Sequence, residues 1–246
     1  MRHLLAGILL LPLLSSCTGG LGGLQQDLTR AAQEQLMRTL AGEYTRRLGG
    51  AVDAVVNELA RPGGYLDDPL TRILLPPPLG LALGAVRDLQ GDPQAGLLSV
   101  LINQAAEQAI PVASPILRTA LAQITPAEAR GLLDGGVGAG TGLLRARTAA
   151  ALKAAVRPRV ATALAGSDAL RIYGELLDAY RMPPVPAAPE TVPPAAGPVT
   201  DLEAYVTDGA VEGLFAVLAA REAAIRDEFE NMTGGMLQGP GAPRPE

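Results

Sequence analysis

Apolar side chains recur every three or four residues along most of this chain, the period of an amphipathic helix. Leu24, Leu28, Leu36, Leu40 and Tyr44, with Ala31 and Ala32 between them, line one side of a helix predicted over 24–48. Val52, Val55, Val56 and Leu59 form the face of a second helix over 51–59, and Pro62-Gly63-Gly64 stops it. Residues 65–78 lose the period and read as an irregular segment. The pattern returns over 79–89 and 94–109, a helical hairpin about Gly91-Asp92-Pro93. Pro111 suits the first turn of a helix running to about Gln123. Thr125-Pro126-Ala127-Glu128 is a capping box: the threonine hydroxyl serves the helix amides, and Glu128 returns to the cap amide.

Beyond a glycine-rich break over 131–140, a long helix is predicted over 143–164 in spite of Pro158. Ser167 can cap the next helix, over 168–180. Residues 183–198 are rich in proline and alanine and read as an extended loop or disordered insert. Thr200 to Glu203 forms another capping box, opening a helix from Asp201 to about Phe229, and 232–246 reads as a disordered tail. Gly209 and Gly213 lie four apart, a spacing that permits close approach of two helices. No stretch alternates with the period of a strand, and no repeat or second domain is visible. The expected fold class is all-α: a single compact multi-helix domain over 24–231, with a Pro/Ala-rich loop near its C-terminal helix.

The N-terminus follows a different logic. Arg2 and His3 precede an apolar run from Leu4 to Leu14, too short to span a bilayer as a lasting helix. Leu14-Ser15-Ser16-Cys17 then places the only cysteine where a lipoprotein signal requires its thiol. The expectation is a signal peptide over 1–16, lipid on the Cys17 sulfur, and a spacer over 17–23. Two or three acyl chains give stable attachment where one gives marginal binding. Thr18 follows Cys17 in place of an aspartate, which in a two-membrane bacterium favours the periplasmic face of the outer membrane.

This reading narrows the chemistry. His3 is the only histidine and leaves with the signal. A mature chain starting at Cys17 has no histidine general base, no Cys-His pair and no histidine metal ligand. The full chain carries a net charge of -5. Loss of Arg2 leaves 19 basic against 25 acidic side chains, a net of -6. An acidic chain without tryptophan, and with two phenylalanines, is poorly suited to nucleic acid. The run Gly135-Gly136-Val137-Gly138-Ala139-Gly140 lacks the Gly-Lys-Ser/Thr ending and preceding strand of a phosphate loop, so it reads as a break between helices. No zinc, haem or iron–sulfur pattern is present, and no cofactor is expected.

Several stretches resemble a known group. Tyr205-Val206-Thr207-Asp208-Gly209-Ala210-Val211-Glu212-Gly213-Leu214-Phe215 is similar to the C-terminal signature of bacterial domain-of-unknown-function family 4197. Gly63-Gly64-Tyr65-Leu66-Asp67-Asp68-Pro69 with Arg72-Ile73-Leu74-Leu75-Pro76, and Ala109-Ile110-Pro111-Val112-Ala113-Ser114-Pro115-Ile116, resemble it as well. So does Thr148-Ala149-Ala150-Ala151-Leu152 with Val156-Arg157-Pro158. The resemblance covers roughly 33–229. It implies an all-helical, exported and often lipid-anchored protein, and brings no established activity or catalytic residue. The chain departs from that pattern in a longer 183–198 link and in Gly209, where a lysine is common.

Three polar groups are candidates for binding. Asp67, Asp68 and Arg72 flank Pro69, either as a capped turn with a surface ion pair or as a carboxylate site. Asn103 and Glu107, with Gln104 between them, lie one turn apart, as a satisfied interhelical network or a pocket lining. Tyr205, Asp208 and Glu212 share a helical side, and Arg145, Arg157 and Arg171 can pair with them across the bundle. A buried arginine–carboxylate cluster there either recognises an anionic ligand or sets helix register.

The favoured expectation is a non-enzymatic envelope lipoprotein, held to the membrane by its N-terminal lipid, with a binding or scaffolding role. Its ligand would be an envelope protein, a lipid or a peptidoglycan-related fragment. A small-molecule or lipid carrier with an interhelical pocket, and a carboxylate-dependent cell-wall hydrolase, are the alternatives. Oligomeric state stays open.

Overall fold

The computed structural model describes residues 18–77, 79–82, 91–179 and 201–233. Side-chain surroundings are described from Arg30 onward within these segments. The signal peptide, Cys17, the 183–198 insert and all but the first two residues of the expected tail lie outside them.

The described chain is all-α. Its helices are α1 (Thr18–Leu59), α2 (Leu79–Ala82), α3 (Pro93–Ala109), α4 (Ala113–Ala122), α5 (Pro126–Asp134), α6 (Ala139–Ala165), α7 (Ala169–Ala179) and α8 (Leu202–Thr233), with a 3-10 turn (Ile110–Val112) before α4. Two expected helices are one: α1 runs unbroken through Gly49-Gly50. Leu48 and Val52 are both fully buried, so the apolar stripe is continuous across the glycines. A Cβ at Gly49 would meet Leu121 Cδ1 of α4 at 3.8 Å, an ordinary contact, so neither glycine is required by close packing here. The helix also takes in 18–23, the stretch expected to be a spacer. Residues 30–36 are all exposed, whereas Ala41, Tyr44 and Leu48 are buried, so the covered part of α1 lies toward its C-terminal half.

Local signals act much as expected elsewhere. Asp92 caps α3 by accepting from Gln94 N–H at 2.7 Å. The Thr125–Glu128 capping box closes α5 in both directions. Asp201 Oδ1 accepts from Ala204 N–H at 2.8 Å and caps α8, while Thr200 lies outside the described residues. Pro111 sits in the 3-10 turn, one turn ahead of the helix it was expected to open. Pro158 is accommodated inside α6. Gly136 and Gly138, at φ 77° and 84°, make the turn into α6 in a left-handed conformation open to glycine.

The core lies where α3, α6 and α8 meet, with α1, α4 and α7 packed around them. Leu98, Ile102, Ala106 and Ala109 of α3 are fully buried against Leu152, Val156 and Val160 of α6 and Val206, Ala210 and Leu214 of α8. Alanine on α3 keeps the axes close. Helix α8 runs antiparallel to α6, shown by Arg145–Glu212, Lys153–Asp208 and Arg157–Asp201 ion pairs in reversed order. It is antiparallel to α1 too, through Arg47–Glu228 and Arg221–Glu58.

Glu222 of α8 is 0% exposed yet charged. Its carboxylate accepts from Gly140 N–H at 2.8 Å, Thr141 N–H at 2.6 Å and Tyr44 O–H at 2.7 Å. Two of these donors are first-turn amides of α6, which have no partner within their own helix and carry the positive end of its dipole. A Cβ on Gly140 would fall 2.8 Å from Leu48 Cδ2 and 3.1 Å from Glu222 Oε1, so glycine makes this approach possible. One turn on, buried Arg226 donates to the Leu132 and Leu133 carbonyls at the end of α5 and to Tyr44 Oη. Tyr44 thus bridges the two charges, and its ring meets Phe229 edge-on at 5.7 Å.

Burial pushes the Glu222 carboxyl up, but donors from Thr141, Tyr44 and Gly140 outweigh it and hold the group below its ordinary value of 4.5. The native state therefore binds this proton less tightly than the unfolded chain. Its stabilisation is complete above pH 4.5 and is lost as pH falls through the native value. Glu222→Gln turns an amide donor toward one of these N–H groups. We expect it to lower stability at pH 7 by about 2–3 kcal/mol, read as a lower urea midpoint at unchanged slope. The gap from wild type should narrow below pH 4.5.

Candidate functional site

The irregular segment over 61–77 is a folded loop clamped between α3 and α8. Pro62-Gly63-Gly64 turns the chain off α1, with Gly63 at φ 83°. Tyr65 then drops into the core at 0% exposure and donates its hydroxyl to Ala210 O at 2.7 Å. Burial raises its phenol well above the ordinary value, with the Glu107 charge adding to the effect. Thr71, also buried, has its hydroxyl within 3.2–3.3 Å of the carbonyls of Gly64, Tyr65 and Asp68; its one proton is donated among these three, which closes the loop on itself.

Asn103 and Glu107 hold the loop from the α3 side. Asn103 Oδ1 accepts from Ile73 N–H and its Nδ2 donates to Ile73 O, both at 2.9 Å. Nδ2 also reaches Ser99 O at 2.8 Å. Glu107 Oε1 accepts from Tyr65 N–H at 3.3 Å. Burial raises the Glu107 carboxyl, backbone donors of Tyr65, Leu66 and Gly63 counter this in part, and nearby Asp67 pushes it further up. These residues form the satisfied network expected of them, but it ties a loop to a helix and not one helix to another. Gln104 is exposed and stands outside it.

Gly209 and Gly213 hold the loop from the α8 side. A Cβ on Gly209 would lie 3.0 Å from Ile73 Cγ1, and one on Gly213 would lie 3.0 Å from Tyr65 Cε1. The glycine pair seats a loop, where the spacing suggested a helix partner. Any larger side chain at Gly209 requires Ile73 to move.

A groove of about 610 Å³ follows the outer edge of this clamp, between residues 70–74 and α8. It gathers Arg72, Tyr205 and Asp208 from the sequence candidates, together with Arg145 and Glu212. Tyr205 donates to Leu74 O at 3.2 Å. Arg145 grips both oxygens of Glu212 at 2.7 Å and lies over the Phe215 ring, and Asp208 pairs with Lys153 at 2.8 Å. Of the expected arginine–carboxylate pairs, Arg145–Glu212 forms, partly exposed, in an open ladder along α6 and α8 in which Asp208 takes Lys153 instead of an arginine. Arg157 pairs with Asp201 farther along that ladder, outside the groove lining. Arg171 pairs with Asp168 and Glu175 on its own helix.

Asp68 Oδ1 accepts from Leu70 N–H at 2.8 Å, and Asp68 O accepts from Thr71 and Arg72 N–H, so this residue caps a turn. The expected ion pair from Arg72 is replaced by its Nε–H donating to Leu66 O at 2.5 Å. Sequence reasoning missed the lip of the groove: Leu70 and Leu74 are 55% and 66% exposed. The signal was available in Arg72-Ile73-Leu74-Leu75, where an exposed Leu74 separates the buried Ile73 and Leu75. Among the described residues, no group of three or more His, Cys, Asp or Glu side chains is placed to hold a metal ion.

Asn103→Ala strips Ile73 of both backbone partners in a buried place. We expect a loss of about 2–3 kcal/mol, with faster amide exchange at Ile73. Gly213→Leu drives a side chain into Tyr65 and Thr71. Its expected cost is about 1–3 kcal/mol, with exchange protection lost across 65–73 while α5 is unaffected.

Neither the curated proteins nor the solved structures provide a match to this chain. A family model described as "Protein of unknown function (DUF4197)" matches residues 24–239, which take in the clamped loop and all of α8. The order of motifs that builds the clamp is the order the resemblance rested on, and the chain belongs to the DUF4197 family.

Proposed function

We propose that this protein is a lipid-anchored component of a bacterial cell envelope whose helical domain binds a partner and catalyses no reaction. The observation that carries the anchoring is Leu14-Ser15-Ser16-Cys17 after a short apolar run. No helix of the described residues is long and apolar enough to cross a membrane. In a two-membrane bacterium the residue after Cys17 directs the protein to the periplasmic face of the outer membrane. A binding role is supported by the groove beside the loop, with apolar lips and charged walls. The near neighbours Asp67 and Glu107 do not support a hydrolase, since Glu107 is occupied with loop amides. The tightly filled α3–α6–α8 core favours surface binding over a carrier's internal pocket.

The anchoring is tested by expression in a lipoprotein-processing host, followed by intact mass measurement of the membrane fraction. The expected product begins at Cys17 and carries two or three acyl chains. Cys17→Ala should abolish the acyl mass and release the protein from the membrane. Unacylated wild-type protein would overturn the proposal.

A further inference from the structure

The groove runs along extended backbone, whose edge away from Asn103 carries Leu74 O, already taken by the Tyr205 hydroxyl at 3.2 Å. Residues 72–76 are neither helix nor turn, and burial alternates from Arg72 (out) to Ile73 (in), Leu74 (out) and Leu75 (in). That alternation belongs to a strand. Asn103 already treats Ile73 as one, pairing with its N–H and C=O together. In an extended chain the neighbouring Arg72 C=O and Leu74 N–H point the other way, and neither has a hydrogen-bond partner among the described residues. This is the donor–acceptor pair that one residue of a parallel strand needs.

The surrounding charges select the occupant. Glu212 neutralises Arg145, and Lys153 sits against Asp208. Arg72 has no carboxylate partner among the described residues, and its Nε–H bond to Leu66 O steadies the guanidinium beside Leu70 and Leu74. A lipid surface is the less suitable occupant. Helix α1 spans 42 residues, about 60 Å, and the loop leaves its far end from Cys17.

We infer that the Arg72–Leu74 edge accepts an extended peptide segment of a partner protein. The segment adds as a strand beside Ile73, sets an apolar side chain between Leu70 and Leu74, and presents a carboxylate to Arg72. This deepens the binding role proposed above and rests on it, although its test does not depend on lipidation.

The test uses the full mature lipoprotein in detergent micelles and a displayed library of random heptapeptides, with the best binders remeasured by fluorescence anisotropy. Enriched peptides should carry Asp or Glu. Arg72→Glu should weaken them about tenfold or more and select Lys- or Arg-bearing peptides in their place, a reversal an unfolded variant cannot produce. Leu74→Pro, which deletes the N–H at an exposed position, and N-methylation of one peptide amide should each weaken binding by a similar factor. Absence of enrichment, or enrichment indifferent to Arg72→Glu and to N-methylation, would overturn the inference. Protection of the Leu70–Leu74 amides by anionic nanodiscs without peptide would overturn it in favour of a lipid surface. Peptide binding by a protein found to lack acyl chains would overturn the anchoring alone.

Discussion

A buried carboxylate holds this bundle together. Glu222 has no water around it, and it survives as an anion because α6 begins against it. Gly140 and Thr141 offer first-turn amides that no residue of their own helix can satisfy, and Tyr44 adds a hydroxyl. A buried charge is costly unless fully hydrogen-bonded, so α1, α6 and α8 are locked in one relative placement. Arg226 extends the lock to α5 by capping its last carbonyls. The glycine-rich run ahead of α6, which in isolation resembles a flexible break, is the entry turn that delivers these amides.

The candidate surface beside the loop depends on that placement at one remove. With α3 and α8 set, the loop after α1 has one seat. Tyr65 and Ile73 press on the two glycines of α8, while Asn103 and Glu107 take its backbone from the α3 side. Residues that read as ligands in isolation are largely spent on this clamp, so the polar groups left for a partner lie on its outer edge. Within the clamp, Asn103, Glu107 and Tyr65 have their polar groups paired, whereas Arg72 on its rim has no carboxylate partner among the described residues.

Much of the helix plan was legible because it is local. The capping box at Thr125–Glu128 and the stop at Pro62-Gly63-Gly64 act within a few residues, and each occurs as read; of the first helix's stripe, Tyr44 is buried while Leu36 is exposed. The misreadings share one cause. Gly49-Gly50 has weak helix propensity, yet burial of Leu48 and Val52 on both sides outweighs it. Gly209 and Gly213 signal close approach without saying what approaches. Glu222 was overlooked although it continues the buried Leu214–Leu218 stripe at the same spacing, an unusual place for a carboxylate.

The sequence by itself determined the all-helical class and most of the helices with their local caps. Those depend on a 3.6-residue period and on hydrogen bonds a few residues long. Only the tertiary structure decided that Glu222 meets an amide 82 residues away, that Asn103 serves Ile73 across 30, and that Arg72 stands without a carboxylate while Arg145 does not. Such pairings follow from which helices lie side by side, a choice made by core packing over the whole chain and carried by no local stretch of it.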